Sequence, residues 1–474
     1  MSLTRRELLG DALAVAIASQ ALELPAAVSA AARPKTNPYA RQARQVRDVY
    51  REAWSAYKRH AFGADHLLPV SGGSASFFLP GKSVGLTVVE AIDTLYLMGL
   101  DRQVSVARRW LVDHFEPAID GDVSVFEATI RLVGGLLAAY HVTRDPVLLA
   151  KAAELGDRLL PAFERSPTGM PYQRVNPATG AVSGPGLSVG EATHIVEFAE
   201  LSRLTGRAKY FAAAKRAAGA IVARRSALGL LPTSINVESG SVAQPDSTID
   251  PPMDSFIEAL WDGWLATSDP DLRAWFGVLQ RGMLRHLFVQ RGSGQWWFRH
   301  AHFRTGAETS SVASELGSYY AGLLAESGER TAARRYLASW TTLVDRHPLL
   351  PLLVDTVSGA VLDPRNELRP EYVDACLNCW LSTGDERYRR LAARYWRREL
   401  AHCRVPGRGM TIALDATSRP VKRGDLTPGY WFSESPKYYW LMFSGTDRFN
   451  YRRHLLTTEG KLLRGARRPR PSPR

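Results

Sequence analysis

Six acidic residues, Glu127, Glu191, Asp254, Glu315, Glu371 and Glu434, stand between 11 and 17 residues ahead of a polar break. That distance is about three to four helical turns, so each falls near the start of the helix that the break ends. A lone acid there complements the helix dipole and caps free N–H groups. Six at the same end of packed helices would gather around one opening. Their neighbours narrow the chemistry. Glu127 lies in Ser124-Val125-Phe126-Glu127-Ala128-Thr129-Ile130-Arg131, one turn from an arginine; Glu371 follows Leu368-Arg369-Pro370; Glu434 follows Tyr430-Trp431-Phe432-Ser433. Carboxylates among aromatics at a cavity mouth suit glycosidic-bond hydrolysis, with one group protonated as acid, one ionised as base, and rings stacked on sugar faces.

These acids must be positioned by helices. Tyr39, Ala43, Val46, Tyr50, Ala53 and Tyr57 step by 4, 3, 4, 3 and 4, one apolar helical face. Thr87-Val88-Val89-Glu90 reads as a capping box, with Val88, Ala91, Ile92, Leu95 and Met98 as the stripe behind it. Strand-like alternation is scarce, and Tyr172–Val182 is the one expected hairpin. The polar breaks centre on residues 99, 144, 206, 268, 328, 384 and 445, with spacings of 45, 62, 62, 60, 56 and 61. Each unit is a helix, a turn, a second helix and a longer return. First helices such as Leu132–Tyr140 lack a polar face, whereas second helices such as Arg387–Leu400 are rich in Arg and aromatics. An apolar inner ring and a charged outer ring define an all-α chain, a closed barrel of seven helical hairpins rather than an open solenoid.

Composition sets the outer bounds. The 474 residues are 45% hydrophobic and 23% charged, the balance of a folded chain. No apolar run approaches the ~20 residues of a membrane span. The net charge is +13, and six of the basic residues lie from Lys461 onward, Lys461, Arg464, Arg467, Arg468, Arg470 and Arg474, among Pro469, Pro471 and Pro473. Residues 464–474 read as a solvated basic tail. No RNP-like cluster, zinc finger or Walker loop accompanies the charge, so nucleic acid is not an expected partner. Three cysteines exclude a disulfide framework. Cys376 and Cys379, one turn apart, read as core, and His300-Ala301-His302 as a loop pair rather than a metal site. Thr4-Arg5-Arg6-Glu7-Leu8-Leu9 resembles a twin-arginine export signal, followed by an apolar run and the small-residue segment Val28–Ala32. Residues 1–35 are therefore set aside as a leader, residues 36–463 form the barrel, and the mature protein is expected in the periplasm or secreted.

In this order, the segments Glu90–Gly99, Val125–Arg131 with Gly134-Gly135-Leu136-Leu137, Thr168–Tyr172, Val196-Glu197-Phe198, Asp254-Ser255, Leu368–Glu371, Ser433-Glu434 with Lys437-Tyr438, and Thr457-Thr458-Glu459 resemble the class I α-mannosidases of glycoside hydrolase family 47. The resemblance runs from about Arg51 to Leu463 and points to a bacterial, exported member. It implies an (α/α)7 barrel, in agreement with the hairpin count, and a calcium-dependent, inverting exo-α-1,2-mannosidase acting, as a monomer, on a mannose-containing oligosaccharide or glycan. By position, Glu127 matches the general acid, Glu371 the general base and Asp254 a third catalytic-site acid. Arg131 and Arg369 match sugar-site arginines. Glu191, Glu258, Phe432 and Glu434 fall at the implied sugar site, Thr458 matches the direct calcium ligand, and Glu434 and Glu459 match acids that hold calcium-bound waters. Glu90 stands where the family commonly has Asp, and Thr457-Thr458-Glu459-Gly460 lacks the usual Asn, Ala and His. The competing expectation is a mannose-binding barrel without turnover.

Overall fold

The helix expected from the Tyr39–Tyr57 stripe runs from Ala40 to His60 in the computed structural model, and it buries Ala43, Val46, Tyr50, Ala53 and Tyr57 as that stripe requires. The structure describes residues 37–292, 294–465 and 468. The expected leader and most of the basic tail lie outside them.

Two concentric rings of helices follow. The inner ring comprises Leu86–Leu97, the continuous run Val125–Thr143, Ile195–Thr205, Asp254–Thr267, the 3-10 turn Glu315–Tyr319 leading into Tyr320–Glu326, Glu371–Thr383 and Ser435–Ser444. The outer ring comprises Ala40–His60, Asp101–His114, Pro146–Leu159, Lys209–Val222, Pro270–His286, Arg330–Arg346 and Glu386–His402. Each of the first six inner helices packs on the outer helix that follows it in the chain. The last inner helix packs on Ala40–His60, and Gly429–Ser433 meets Leu86–Leu97, which closes the ring. Composition dictates the layers. Gly134–Thr143 buries six consecutive residues from Gly134 to Ala139, whereas Arg330–Arg346 buries only a stripe that includes Ala333, Tyr336, Leu337, Trp340 and Val344. Val125–Thr143 is long and apolar enough to cross a membrane, but it is a mostly buried barrel wall.

The repeated break has one physical basis. All seven central residues, Gly99, Arg144, Gly206, Ser268, Gly328, Gly384 and Gly445, have positive φ, the left-handed residue that ends an inner helix. In three of the units the next residue caps the outer helix: the Asp145, Asp269 and Asp385 side chains accept from backbone N–H groups of the first turn.

Three expectations change. The Thr87–Glu90 capping box does not form. The helix starts at Leu86 behind Gly85, whose φ of 82° turns the chain; Thr87 Oγ1 donates to the Asp65 carbonyl, and Glu90 faces a buried lysine instead of a free N–H. A capping box forms at Ser188 and Glu191 instead. The returns also carry small antiparallel sheets of two or three strands, of which Arg174–Val175 with Val182–Ser183 is the expected hairpin and His300–His302 an unexpected strand. Strands of two or three residues are too short to print an alternating pattern. Finally, Arg464 belongs to the last strand and Arg468 is ion-paired with Glu326, so at these positions the basic tail is held by the barrel rather than solvated. Cys376, Cys379 and Cys403 are buried and unpaired, as core residues are.

The end of the chain plugs the bore. His454–Leu456 pairs with Leu462–Arg464, and the turn between them carries Thr457-Thr458-Glu459-Gly460. Gly460 has φ of 66°, and a Cβ there would stand 2.9 Å from the Tyr438 hydroxyl, so the turn requires glycine. Lys461 closes it with an ion pair to Glu90, and Leu462 N–H donates to Asp93 Oδ2 at 2.7 Å.

Candidate active site

Five of the six helix-start acids, Glu127, Glu191, Asp254, Glu371 and Glu434, line one cavity of about 530 Å³, together with Thr458 and Glu459 of the plug. It opens at the N-terminal ends of the inner helices. The sixth, Glu315, is fully buried, and its carboxylate oxygens have no hydrogen-bond partner. Local backbone explains each placement. Ser124 Oγ accepts from Glu127 N–H at 3.2 Å, and the chain then enters the π-helix Ala128–Val133, a distortion frequent at functional sites. Glu191 sits in its capping box and accepts from Gln173 Nε2 at 2.9 and 3.0 Å. Asp254 and Glu371 are the first residues of their helices, and Glu434 is the joint between Gly429–Ser433 and Ser435–Ser444.

Arg131 organises one wall. Its Nε donates to Glu127 Oε2 at 2.5 Å and its Nη1 to Glu459 Oε2 at 2.7 Å, with Glu90 Oε1 at 3.4 Å. Arg369 lies on the other wall, donating to Glu367 Oε2 at 2.8 Å. Both guanidinium groups face the Tyr430 ring, at 5.8 and 5.0 Å. Phe77, Phe78 and Phe126 supply further apolar surface. Glu127 is on the second inner helix and Glu371 on the sixth, three helices apart one way around the ring and four the other, so they face each other across the bore. Burial pushes Glu371 up to about 7, partly offset by Arg369, and Asp254 up to about 6.

Beneath this cavity lies a smaller one lined by Asp254, Glu258, Glu371, Asp374, Glu434 and Thr458. Burial pushes Glu258 up to about 7, and Glu434 is raised by burial and by the Glu459 charge. Glu371 Oε2 is buried without a partner. Unpaired carboxylates around a threonine, with no thiolate or imidazole among them, fit a hard divalent cation that favours oxygen ligands. Among the described residues, no three His, Cys, Asp or Glu side chains are close enough to hold one ion directly.

The residues named from the sequence divide accordingly. Glu127, Asp254, Glu371, Arg131, Arg369, Glu191, Glu434, Thr458 and Glu459 meet at the cavity, and Glu258 lies one turn deeper. Phe432 is not at the site. It is fully buried among Tyr50, Trp54, Tyr57 and Trp431, because residues two apart on the short helix Gly429–Ser433 point to opposite sides. Tyr430 is the ring that faces the cavity. Sequence reasoning also missed Phe77, Phe78 and Asp374. Asp374 was open to detection, three residues after Glu371 on the same helix face; the two phenylalanines lie in a loop whose fold no periodicity announces.

Residues 49–465 match glycosyl hydrolase family 47. The chain belongs to that family. It is 29% identical over 466 residues to human mannosyl-oligosaccharide 1,2-alpha-mannosidase IB, covering 91% of this chain and 71% of the relative. It is 28% identical over 456 residues to the Arabidopsis thaliana mannosyl-oligosaccharide 1,2-alpha-mannosidase MNS1, covering 90% and 80%. The fold is similar to the alpha-1,2-mannosidase from Trichoderma reesei, with a TM-score of 0.80, 23% identity, and coverage of 90% of this chain and 100% of that one.

Proposed function

We propose that the protein is an inverting, exo-acting α-1,2-mannosidase that removes terminal mannose from oligosaccharides or glycans. The observation that carries this reading is a blind cavity with Glu127 and Glu371 on facing walls in a family 47 chain. The plug closes the floor, so a chain end enters and a chain middle does not, which favours exo action. Glu127 is the general acid: it lines the mouth across from Glu371, and Arg131 Nε fixes its carboxyl by holding Oε2. Glu371 is the general base. A carboxylate raised to about 7 is a stronger base than an exposed one and still ionises near neutrality, so it can take a proton from the attacking water. Water between base and anomeric carbon requires carboxyls about 6.5–9.5 Å apart, which placement across the bore favours. Asp254 is the third acid of the site, beside the base, where its charge raises the proton affinity of Glu371. Tyr430, Phe77 and Phe78 offer faces to the sugar, and Arg131, Arg369 and Glu191 offer polar contacts. Thr458 would hold calcium, with Glu434, Glu459, Glu258 and Asp374 holding its waters. When bound, the ion supplies positive charge against the clustered acids and a grip on sugar hydroxyls. The Arg5-Arg6 signal supports export to the periplasm or medium.

Hydrolysis of α-1,2-mannobiose followed by NMR should give β-mannose as the first product; α-mannose would overturn inversion, and binding without turnover would favour the mannose-binding reading. Exhaustive chelation should abolish hydrolysis and Ca²⁺ should restore it, with Thr458→Val binding Ca²⁺ more weakly in a folded barrel. Full activity with no metal by elemental analysis would refute the calcium assignment.

A further inference from the structure

The far end of the barrel holds a second cavity of about 440 Å³, bounded by Trp261, Trp264, Phe276, Glu326, Tyr451 and Arg468. Four arginines line it, and they differ. Arg273, Arg330 and Arg452 are exposed and have no carboxylate partner among the described residues, whereas the Arg468 side chain is only 10% exposed and is held through Nε and Nη1. Its Nε donates to Glu326 Oε1 at 2.7 Å, its Nη1 donates to the backbone carbonyls of Tyr451 at 2.6 Å and His454 at 2.8 Å, and its plane covers the Tyr451 ring at 3.8 Å. Glu326, the last residue of an inner helix, is itself fixed by Trp261 Nε1 at 2.8 Å and the Tyr451 hydroxyl at 2.8 Å. A carboxylate, two carbonyls and a ring face are the set that recognises a planar guanidinium and not a point charge. Inward from Glu326 the bore continues past Asp262, Asp374 and Glu258, and Arg468 is the one basic side chain lining that stretch among the described residues.

His454 begins the plug hairpin. At its turn the hairpin is held by Glu90 and Asp93; at its base it is held to an inner helix through Arg468. We propose that this pocket is a guanidinium receptor which, filled by Arg468 of the same chain, latches the base of the plug hairpin and so keeps Thr458 and Glu459 at the floor of the mouth cavity. Arg468 is a positioning residue. Its effect on turnover rests on the mannosidase reading; its effect on the hairpin does not.

Hydrogen exchange on the full chain separates the two. In Arg468→Ala, backbone amides of His454–Arg464 should exchange about tenfold faster or more, because a latched segment opens locally without the rest, while the helices of both rings keep wild-type protection. Millimolar methylguanidinium should restore the hairpin's protection, and methylammonium should not. Glu326→Gln should loosen the same amides and resist rescue. Unchanged hairpin exchange in Arg468→Ala would overturn the latch, as would loss of protection throughout the barrel. Rescue by methylammonium, or failure of methylguanidinium, would overturn the receptor. If exchange behaves as expected but no substrate is turned over by the wild type, the latch stands and the mannosidase reading falls.

Discussion

Asp93 and Glu90 on one inner helix, and Asp254, Glu258 and Glu371 on two others, are all carboxylates taken into the bore, and they differ in what faces them. Asp93 Oδ2 meets Lys437 Nζ at 2.7 Å, and Glu90 meets Lys461 and Arg131. Among the described residues no lysine faces the second set; Glu258 shares a hydrogen bond with Thr458, Arg369 bears on Asp254 and Glu371, and Arg131 bears more weakly on Glu371. Burial accordingly pushes Asp254, Glu258 and Glu371 up to about 6, 7 and 7. A paired buried acid is expensive to disturb and serves position; an unpaired one is costly to keep ionised and is retained for what it binds or transfers. Both sets lie on inner helices, so depth alone does not separate architecture from chemistry. The partner does.

The largest expected effect falls on the unpaired set. Glu371→Gln should lower kcat by about two orders of magnitude or more, the usual range for loss of a positioned acid or base. Glu127→Gln should do the same although Arg131 pairs with Glu127, because that carboxyl is a quarter exposed at the mouth and the division drawn for fully buried acids does not reach it. Glu371→Gln should cost no stability, and its pH response gives the sign. The folded-state value is raised above the unfolded one, so between about 4.5 and 7 the folded chain holds a proton that the unfolded chain has released. Wild-type stability therefore falls as pH rises through that window. The variant lacks this contribution and should gain on the wild type from pH 5 to pH 7.5 in thermal melts. Near-wild-type turnover would place the base elsewhere, and a variant that melts lower at pH 7.5 would show Glu371 to be a structural acid.

The paired set should behave in the opposite way. Lys437→Met leaves Asp93 charged and buried, and breaking such a pair costs about 3–5 kcal/mol. Denaturant melts should show that loss, and adding Asp93→Asn to the same chain should recover much of it. Turnover per folded molecule should change little if the pair only fixes the plug. A double variant as unstable as the single one would mean that the pair, and not the unpaired charge, carries the stability.

This division was only partly legible in the sequence. The seven breaks could be read because each ends an inner helix on a left-handed residue, a local event that Gly, Ser-Asp or Arg-Asp writes into the chain. The acids at helix starts could be read for the same reason, since offsets from those breaks are fixed by helical rise. The lysines could not. Lys461 falls at the last edge of the expected barrel, where a basic run begins and no local pattern marks a core residue, yet it is fully buried against Glu90, a contact 371 residues away in the chain. The Thr87–Glu90 capping box failed through that same partner. Glu315 stands at the same offset from its break as Glu371 and still lies outside the cavity, fully buried at the start of a 3-10 turn. Facing across a bore is a property of the closed ring, and no window of local sequence contains it.

The aromatic segment Tyr430–Phe432 tests the same distinction at the smallest scale. Both rings were reasonable platforms for a sugar, and the short helix separates them. Tyr430 lines the cavity, donates from its hydroxyl to the Glu367 carbonyl at 2.5 Å and lies under two arginines. Phe432 packs against Tyr50, Trp54 and Tyr57 of Ala40–His60. Tyr430→Leu removes the ring face offered to the sugar, an aromatic contact of about 0.5–1.5 kcal/mol, so KM should rise about tenfold, while the melting temperature moves little because Arg131 and Arg369 keep Glu127 and Glu367 as partners. Phe432→Leu keeps most of the apolar volume and should cost about 1 kcal/mol of stability, visible as a lower denaturant midpoint with KM unchanged. The sharp outcome is the crossed pattern, in which each variant moves only one of the two measurements. If Phe432→Leu raised KM while Tyr430→Leu did not, the mouth of the cavity would have to be redrawn around Phe432, and the orientation of Gly429–Ser433 would be the error.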